Sequence, residues 1–186
     1  MPESNGDCQL AIEPMAQSGH SIGDVLEFML SIDDDLDPPL RTRVDMPSYV
    51  QKVVQNACVL IAHERGTISG LAAVYMNDHQ AQVAYVTYIG LAREARGHGL
   101  AKRLMQMCLR LAFEAGMRTM RLETSESNVV AQRLYLSMGF RPEEADDNCE
   151  RGMRRVWMAK RLCDDESPAG IASRAPSAGP GMQELI

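Results

Sequence analysis

The chain reads as one mixed α/β domain, and three observations predict it. Apolar spacing alternates between a period of two and a helical period, and the order of the changes is βααβββαβαβ. The front half reads as antiparallel hairpin strands and the back half as a βαβ unit, so a doubly wound sheet is not expected. The 186 residues have room for one ordinary hydrophobic core.

CQLAIEP, Cys8 to Pro14, is the first expected strand. Ser21 to Ile32 spaces Ile22, Val25, Leu26 and Met29 along one helical face. SIDDDLDPPLRTRVD then reads as an exposed acidic connection, and a second helix is expected from about Pro47 to Asn56 through Val50, Val53 and Val54. CVLIAHE and ISGLAAVYM, joined through ERGT, form a predicted hairpin, and AQVAYVTYIGLA from Ala81 is a third strand. From Gly97 the spacing is helical again through Leu100, Leu104, Met107, Cys108 and Leu111, with a cap at Gly116. Met117 to Thr124 alternates as a strand. Asn128 caps a helix carrying Val130, Ala131, Leu134, Tyr135 and Met138, closed by Gly139. MRRVWMAKRL is the final strand. The expected organisation is a flexible N-terminus over 1–7, a folded domain over 8–163 and a disordered tail over 164–186, where Pro, Gly, Ser and Ala replace apolar residues.

Composition excludes several partners. The net charge of −6 disfavours a polyanion, and Arg96, Lys102 and Arg103 are too few to track a duplex, so no nucleic-acid partner is expected. Aromatic residues make up 5% of the chain, too few for base-stacking platforms. No apolar run is long enough to cross a membrane, and no secretory segment opens the sequence, so a cytoplasmic location is expected. Five widely spaced cysteines without a CxxC suggest neither zinc nor disulfides. The acidic run fails as a calcium loop, because Pro38 and Val44 stand where glycine and glutamate belong. No metal is expected.

The stretch ARGHGLAKRL, residues 95–104, carries the first functional signal. A glycine turn opening a helix presents free amides and the positive end of the helix dipole to an anion. A dinucleotide fingerprint fails because Lys102 occupies its third glycine position, and a P-loop fails in spacing and in its hydroxyl residue. An ordinary strand-to-helix turn would also use two glycines.

The second signal is NVVAQRLYLSMGF, Asn128 to Phe140. With it, Arg96-Gly97-His98-Gly99-Leu100-Ala101 resembles the Arg/Gln-x-x-Gly-x-Gly/Ala motif of the GCN5-related N-acetyltransferase (GNAT) family, and the second stretch resembles that family's Asn-x-x-Ala-x-x-Leu-Tyr-x-x-x-Gly-Phe signature. The likeness covers about Leu10 to Leu162. It implies a mostly antiparallel mixed sheet flanked by helices, with a splayed strand pair forming an acyl-CoA slot.

The resemblance also implies roles. The backbone of Arg96, Gly97, His98, Gly99, Leu100, Ala101 and Lys102 would hold the pyrophosphate of acetyl-CoA, with His98 exposed. Ile89, Gly90 and Leu91 would contact the pantetheine arm, with a backbone amide near Ile89 as oxyanion donor. Tyr135 would protonate the departing thiolate, and Asn128 would cap its helix and reach the cofactor. The family often has a glutamate where this chain has Thr87, a poor base; Tyr85, Tyr88 and Glu123 are the alternatives, and Glu123 is the first choice. Asp34 and Asp35, with Tyr85 and Thr87, would border the acceptor. There an acidic run would favour a cation, although an ordinary solvated turn is the better reading of such a run. No cysteine is placed for a covalent acetyl-enzyme.

The expected activity is therefore transfer of acetyl from acetyl-CoA to a primary amine of a small molecule (an amino sugar, amino acid, polyamine or antibiotic) by a monomer or homodimer. The alternatives are acetylation of a protein N-terminus or lysine, and an acyl-CoA-binding sensor or subunit without turnover.

Overall fold

The computed structural model describes residues 10–36, 38–143, 149–150 and 153–162. Strand β1 (Ala11–Pro14) runs into a short helix α1 (Met15–Ser18) that the periodicity did not predict. Helix α2 (Ile22–Ser31) begins in a capping box: the Ser21 amide donates to Asp24 Oδ2 at 2.7 Å, and the Asp24 amide donates to Ser21 Oγ at 3.2 Å. Helix α3 (Met46–Asn56) starts at Asp45, whose carboxylate accepts from the Ser48 amide at 3.1 Å.

The long hairpin of β2 (Cys58–Glu64) and β3 (Thr67–Asp78) turns at Arg65 and Gly66. Both have positive φ, 52° and 77°, which matches the right-handed twist of the strands they join. Then follow β4 (Val83–Leu91), α4 (Leu100–Glu114), β5 (Thr119–Ser125), α5 (Val129–Ser137), β6 (Arg141–Pro142), β7 (Cys149–Glu150) and β8 (Met153–Arg161). Gly116 and Gly139, with φ of 80° and 90°, stand just past the caps of α4 and α5 as expected. The N-terminal and C-terminal expectations over 1–7 and 164–186, and Cys8 of the first strand, lie outside the described residues.

The sheet order is β1-β2-β3-β4-β5-β8-β6, with β7 paired to β8, and β4–β5 is the parallel contact made by the βαβ unit. The sheet separates two apolar layers by strand alternation. Leu60, Ala62, Ala72, Val74, Ala84 and Val86 face the α4/α5 side, where Leu104, Met105, Tyr135 and Phe140 are buried. Val59, Ile61, Leu71 and Ala73 face α2 and α3, against Val25, Met29, Val50 and Val53.

One irregularity governs the site. Val74 pairs with Val86, but the next residue back, Ala73, pairs with Tyr88, so Thr87 is an extra residue in β4. A bulge of this kind shifts the alternation by one. Val86 faces α4 and α5, whereas Tyr88 turns to α2 and α3 and Ile89 returns to the α4 side. The parallel ladder stops at the same level: its last rung is Val86–Leu122, although β4 continues to Leu91 and β5 to Ser125. From Thr87 and Glu123 onward the two strands part.

Candidate active site

The parted strands open a cleft of about 630 Å³. Thr87, Tyr88 and Ile89 line one wall and Glu123, Thr124 and Ser125 the other, with Asn128 and Tyr135 of the α5 region, Tyr49 of α3, and Arg43 and Arg155 at its margins. The expected slot is present, and its cause is local: an inserted residue in β4 bends the strand away from its parallel partner.

Two ionisable side chains, Glu123 and Tyr135, lie on opposite sides of this gap. Leu122 belongs to the α4/α5 layer, so alternation sends Glu123 to the other face, where Arg155 Nη1 donates to its Oε1 at 3.1 Å. The Glu123 side chain is 7% exposed. Tyr135 is in the α4/α5 layer, 5% exposed, with its ring 5.8 Å from that of Phe140. Burial pushes the Tyr135 phenol up to about 12, and the neighbouring Cys108 adds to the shift. It is therefore protonated throughout the neutral range and able to donate. Asn128 Oδ1 accepts from the Ala131 amide at 3.1 Å, so the expected cap is formed and orients the helix that carries Tyr135.

At the mouth of the cleft, β4 gives way through a single turn at Arg93–Ala95 to the glycine loop. Gly97 and Gly99 have φ of 80° and 76°, the left-handed region, and a Cβ built on either would meet no protein atom within 4 Å. Open space therefore lies over the loop, and glycine serves the backbone conformation rather than packing. Arg103 N donates to the Gly99 carbonyl at 3.1 Å, the first bond of α4. The amides of Leu100, Ala101 and Lys102 precede that bond and have no intrahelical acceptor, as in any first helical turn. These groups fit a phosphate: free N–H donors, the positive end of a fifteen-residue helix, and room for the ligand. His98 is exposed.

Arg96 has a defined place. It donates to the Leu91 carbonyl from Nε at 3.2 Å and Nη2 at 2.9 Å, and from Nη2 to Asp35 Oδ2 at 2.6 Å. Arg93 Nε also donates to Asp35 at 3.1 Å. These partners, Arg93 first, hold the Asp35 carboxyl down at about 2. Gly90 allows a close approach: a Cβ there would stand 2.5 Å from Ile32 Cδ1 and 2.8 Å from the Tyr88 hydroxyl, and these side chains would have to shift.

The acidic run is held largely by arginines. Asp33 is fully buried and accepts from the Leu40 amide at 2.7 Å and from Arg41, while Asp34 is exposed and paired with Arg41. Asp35 lines the cleft but holds Arg93 and Arg96. These three carboxylates are matched by arginines, so among the described residues the run presents no unbalanced negative charge to an acceptor. Thr87 Oγ1 lies 3.4 Å from the Tyr49 hydroxyl, and the Tyr85 ring stands 5.8 Å from Trp157. Sequence reasoning missed Tyr49, Arg43 and Arg155. All three bear on the cleft only through tertiary placement, and no motif marks them.

Cys108 is wholly buried, and burial pushes its thiol up to about 12, against a nucleophilic role. Among the described residues no His/Cys/Asp/Glu group of metal-binding form is found, and no helix is long and apolar enough to cross a membrane.

Comparison with known proteins gives the same fold. A candidate acetyltransferase of the GNAT family from Desulfovibrio desulfuricans superposes with a TM-score of 0.67 at 15% identity, covering 83% of this chain and 100% of that one. A candidate acetyltransferase (yncA) from Salmonella typhimurium, solved with its cofactor acetyl-CoA, gives 0.63 at 16% identity, covering 88% and 99%. A candidate [ribosomal protein bS18]-alanine N-acetyltransferase of Bacillus subtilis (strain 168) is 29% identical over 97 residues, 51% of this chain. The match spans 62% of that relative's length. The sequence model of the Acetyltransferase (GNAT) family matches residues 26–140, from α2 through the end of the second motif. The chain belongs to the acetyltransferase (GNAT) family.

Proposed function

We propose that the protein transfers the acetyl group of acetyl-CoA to a primary amine of a small molecule, by direct attack in a ternary complex. The observation that carries this reading is the parting of β4 from β5 at Thr87 and Glu123, with Glu123 and Tyr135 on opposite faces of the gap. The active unit is assigned to residues 8–163. Use of acetyl-CoA is supported by the fit of the glycine loop to a phosphate and by the acetyl-CoA held in the Salmonella neighbour.

In this reading the amides from Gly97 to Lys102 bind the pyrophosphate, beside Arg96, whose own amide donates to the Arg93 carbonyl. The open edge of β4 at Ile89, Gly90 and Leu91 receives the pantetheine arm as an added strand would be received. The amine enters from the α2/α3 face. Glu123, directly or through water, takes the proton that the attacking nitrogen must lose. A backbone amide near Ile89 meets the developing oxyanion. As the new C–N bond forms and the C–S bond breaks, Tyr135 gives its proton to the thiolate and regains one from solvent. Thr87, where many relatives have a base, instead makes the bulge that opens the slot.

A second reading has one observation in its favour: the Bacillus subtilis relative carries the name of a candidate [ribosomal protein bS18]-alanine N-acetyltransferase. Thiol release from acetyl-CoA over a panel of free amines and a peptide with N-terminal alanine tests both. Turnover of free amines supports the first reading, turnover of the peptide alone supports the second, and release with neither refutes the assigned transfer.

A further inference from the structure

The acceptor side of the cleft carries a cation that no described carboxylate pairs with. Arg43 follows the turn Leu40–Thr42 and lies just before α3. It lines the cleft, and its Nε is buried without a hydrogen-bond partner. A buried donor left unmatched is costly, so one that lines a cleft marks a position where a ligand or water completes the set.

Glu123 and Asp33 lie near enough for their charges to favour the Arg43 cation, but each is held by another group and neither forms an ion pair with it. Arg155 reaches the cleft from β8 and is engaged by Glu123 at 3.1 Å. Asp33 is taken by the Leu40 amide and Arg41, and Asp35 by Arg93 and Arg96. Glu123 thus serves two guanidinium groups, paired with Arg155 and acting on Arg43 only through its charge, so the two cations outnumber the carboxylate between them. Burial lowers the Arg43 pKa, and the charge of Arg155 lowers it further. Both effects would be relieved by an anion between the two guanidinium groups.

We infer, resting on the acetyl-transfer reading above, that Arg43 is the anion-recognising residue of the acceptor pocket, and that the acceptor is an amine that also carries a carboxylate. A polyamine would bring only positive charge towards Arg43 and Arg155. An amino sugar would leave the buried Nε without an acceptor of matching charge. A free amino acid satisfies both ends of the pocket: its carboxylate meets the planar fork of Arg43, and its amine is left on the side of Glu123. Arg43 is thereby a specificity-determining residue rather than a participant in proton transfer.

The test is thiol release from acetyl-CoA with the L-amino acids, each beside its own carboxamide, together with spermidine and a peptide with N-terminal alanine. The wild type is compared with Arg43→Gln and Arg43→Lys, and CoA titration reports that the variants are folded. The best acid is expected to exceed its amide in kcat/KM by about 10- to 100-fold, mainly through KM. That ratio is expected to fall towards one in Arg43→Gln and to recover in part in Arg43→Lys. Equal use of acid and amide by the wild type, an unchanged ratio in Arg43→Gln, or preference for spermidine or the peptide would overturn the inference. Calorimetry of the CoA-loaded protein with N-acetyl-amino acids and N-acetyl-amides keeps the two readings apart. If no amine releases thiol, acetyl transfer fails, yet selective binding of the acids still supports the Arg43 subsite and equal binding overturns it.

Discussion

Arg96 reaches back five residues and donates from both Nε, at 3.2 Å, and Nη2, at 2.9 Å, to the carbonyl oxygen of Leu91. The end of β4 and the start of the glycine loop are thereby fastened together, and Asp35 fastens both to the segment after α2. The first residue of the motif thus acts through the positions of backbone amides. Arg96→Met is expected to cost about 1 kcal/mol of stability, since the contacts are charge-assisted but the side chain is half exposed. CoA affinity should fall with it. Thermal denaturation and CoA titration check this; unchanged values in both would remove the fastening role. The Asp35 link should be insensitive to ordinary pH. Its carboxyl is lowered in the folded state, so its contribution is fully present above the unfolded value near 3.8 and is lost only as pH falls through about 2.

Gly99→Glu places a side chain where φ is +76° and where the space over the loop is open. The strain is about 1–2 kcal/mol, and a carboxylate is set at a helix N-terminus assigned to an anion. A rise in the Kd for CoA of roughly 100-fold is expected. Equal CoA binding by variant and wild type in a calorimetric titration would refute the loop assignment.

Tyr135→Phe removes one hydroxyl from a ring that otherwise stays packed against Phe140. Turnover should fall by about 10²- to 10⁴-fold, the usual range for a lost general acid, while the Kd for acetyl-CoA changes little. Steady-state kinetics beside a binding titration decide this. A parallel loss of affinity and rate would make Tyr135 a packing residue.

The pH–rate profile follows from the same phenol. With its pKa raised to about 12, Tyr135 remains protonated well into the alkaline range. The rate should therefore rise as acceptor amine loses its proton, with no descending limb below about pH 10. A fall beginning near pH 8 that is absent in Tyr135→Phe would contradict the raised value.

Glu123→Gln leaves Arg155 beside a neutral amide in a nearly buried position. A loss in kcat/KM of about 10²-fold or more is expected from removal of the proton acceptor. A conserved rate, measured over the same amine panel, would pass the role to water or to another group.

Much of this was legible in the sequence, for identifiable reasons. The helices around Val25 and Leu104 and the hairpin at Arg65–Gly66 are set by local periodicity and turn chemistry. The two motifs, one opening α4 and one spanning α5, carried the family. The bulge at Thr87 was not legible as a position, because YVTYIG alternates acceptably with or without an extra residue and only the pairing with β3 reveals it. The acidic run shows the limit of spacing arguments. Asp34 and Asp35 looked available to a cation until the fold brought Arg41, Arg93 and Arg96 to them. Arg43 and Arg155 come together from distant parts of the chain, and no local pattern announces such a pair.

The most direct measurement is a crystal structure of the protein with CoA bound. The account predicts the pyrophosphate on the amides between Arg96 and Lys102, the pantetheine arm along Ile89 to Leu91, and the thiol within hydrogen-bond reach of the Tyr135 hydroxyl. A thiol far from Tyr135, or a pyrophosphate bound away from the glycine loop, would contradict it.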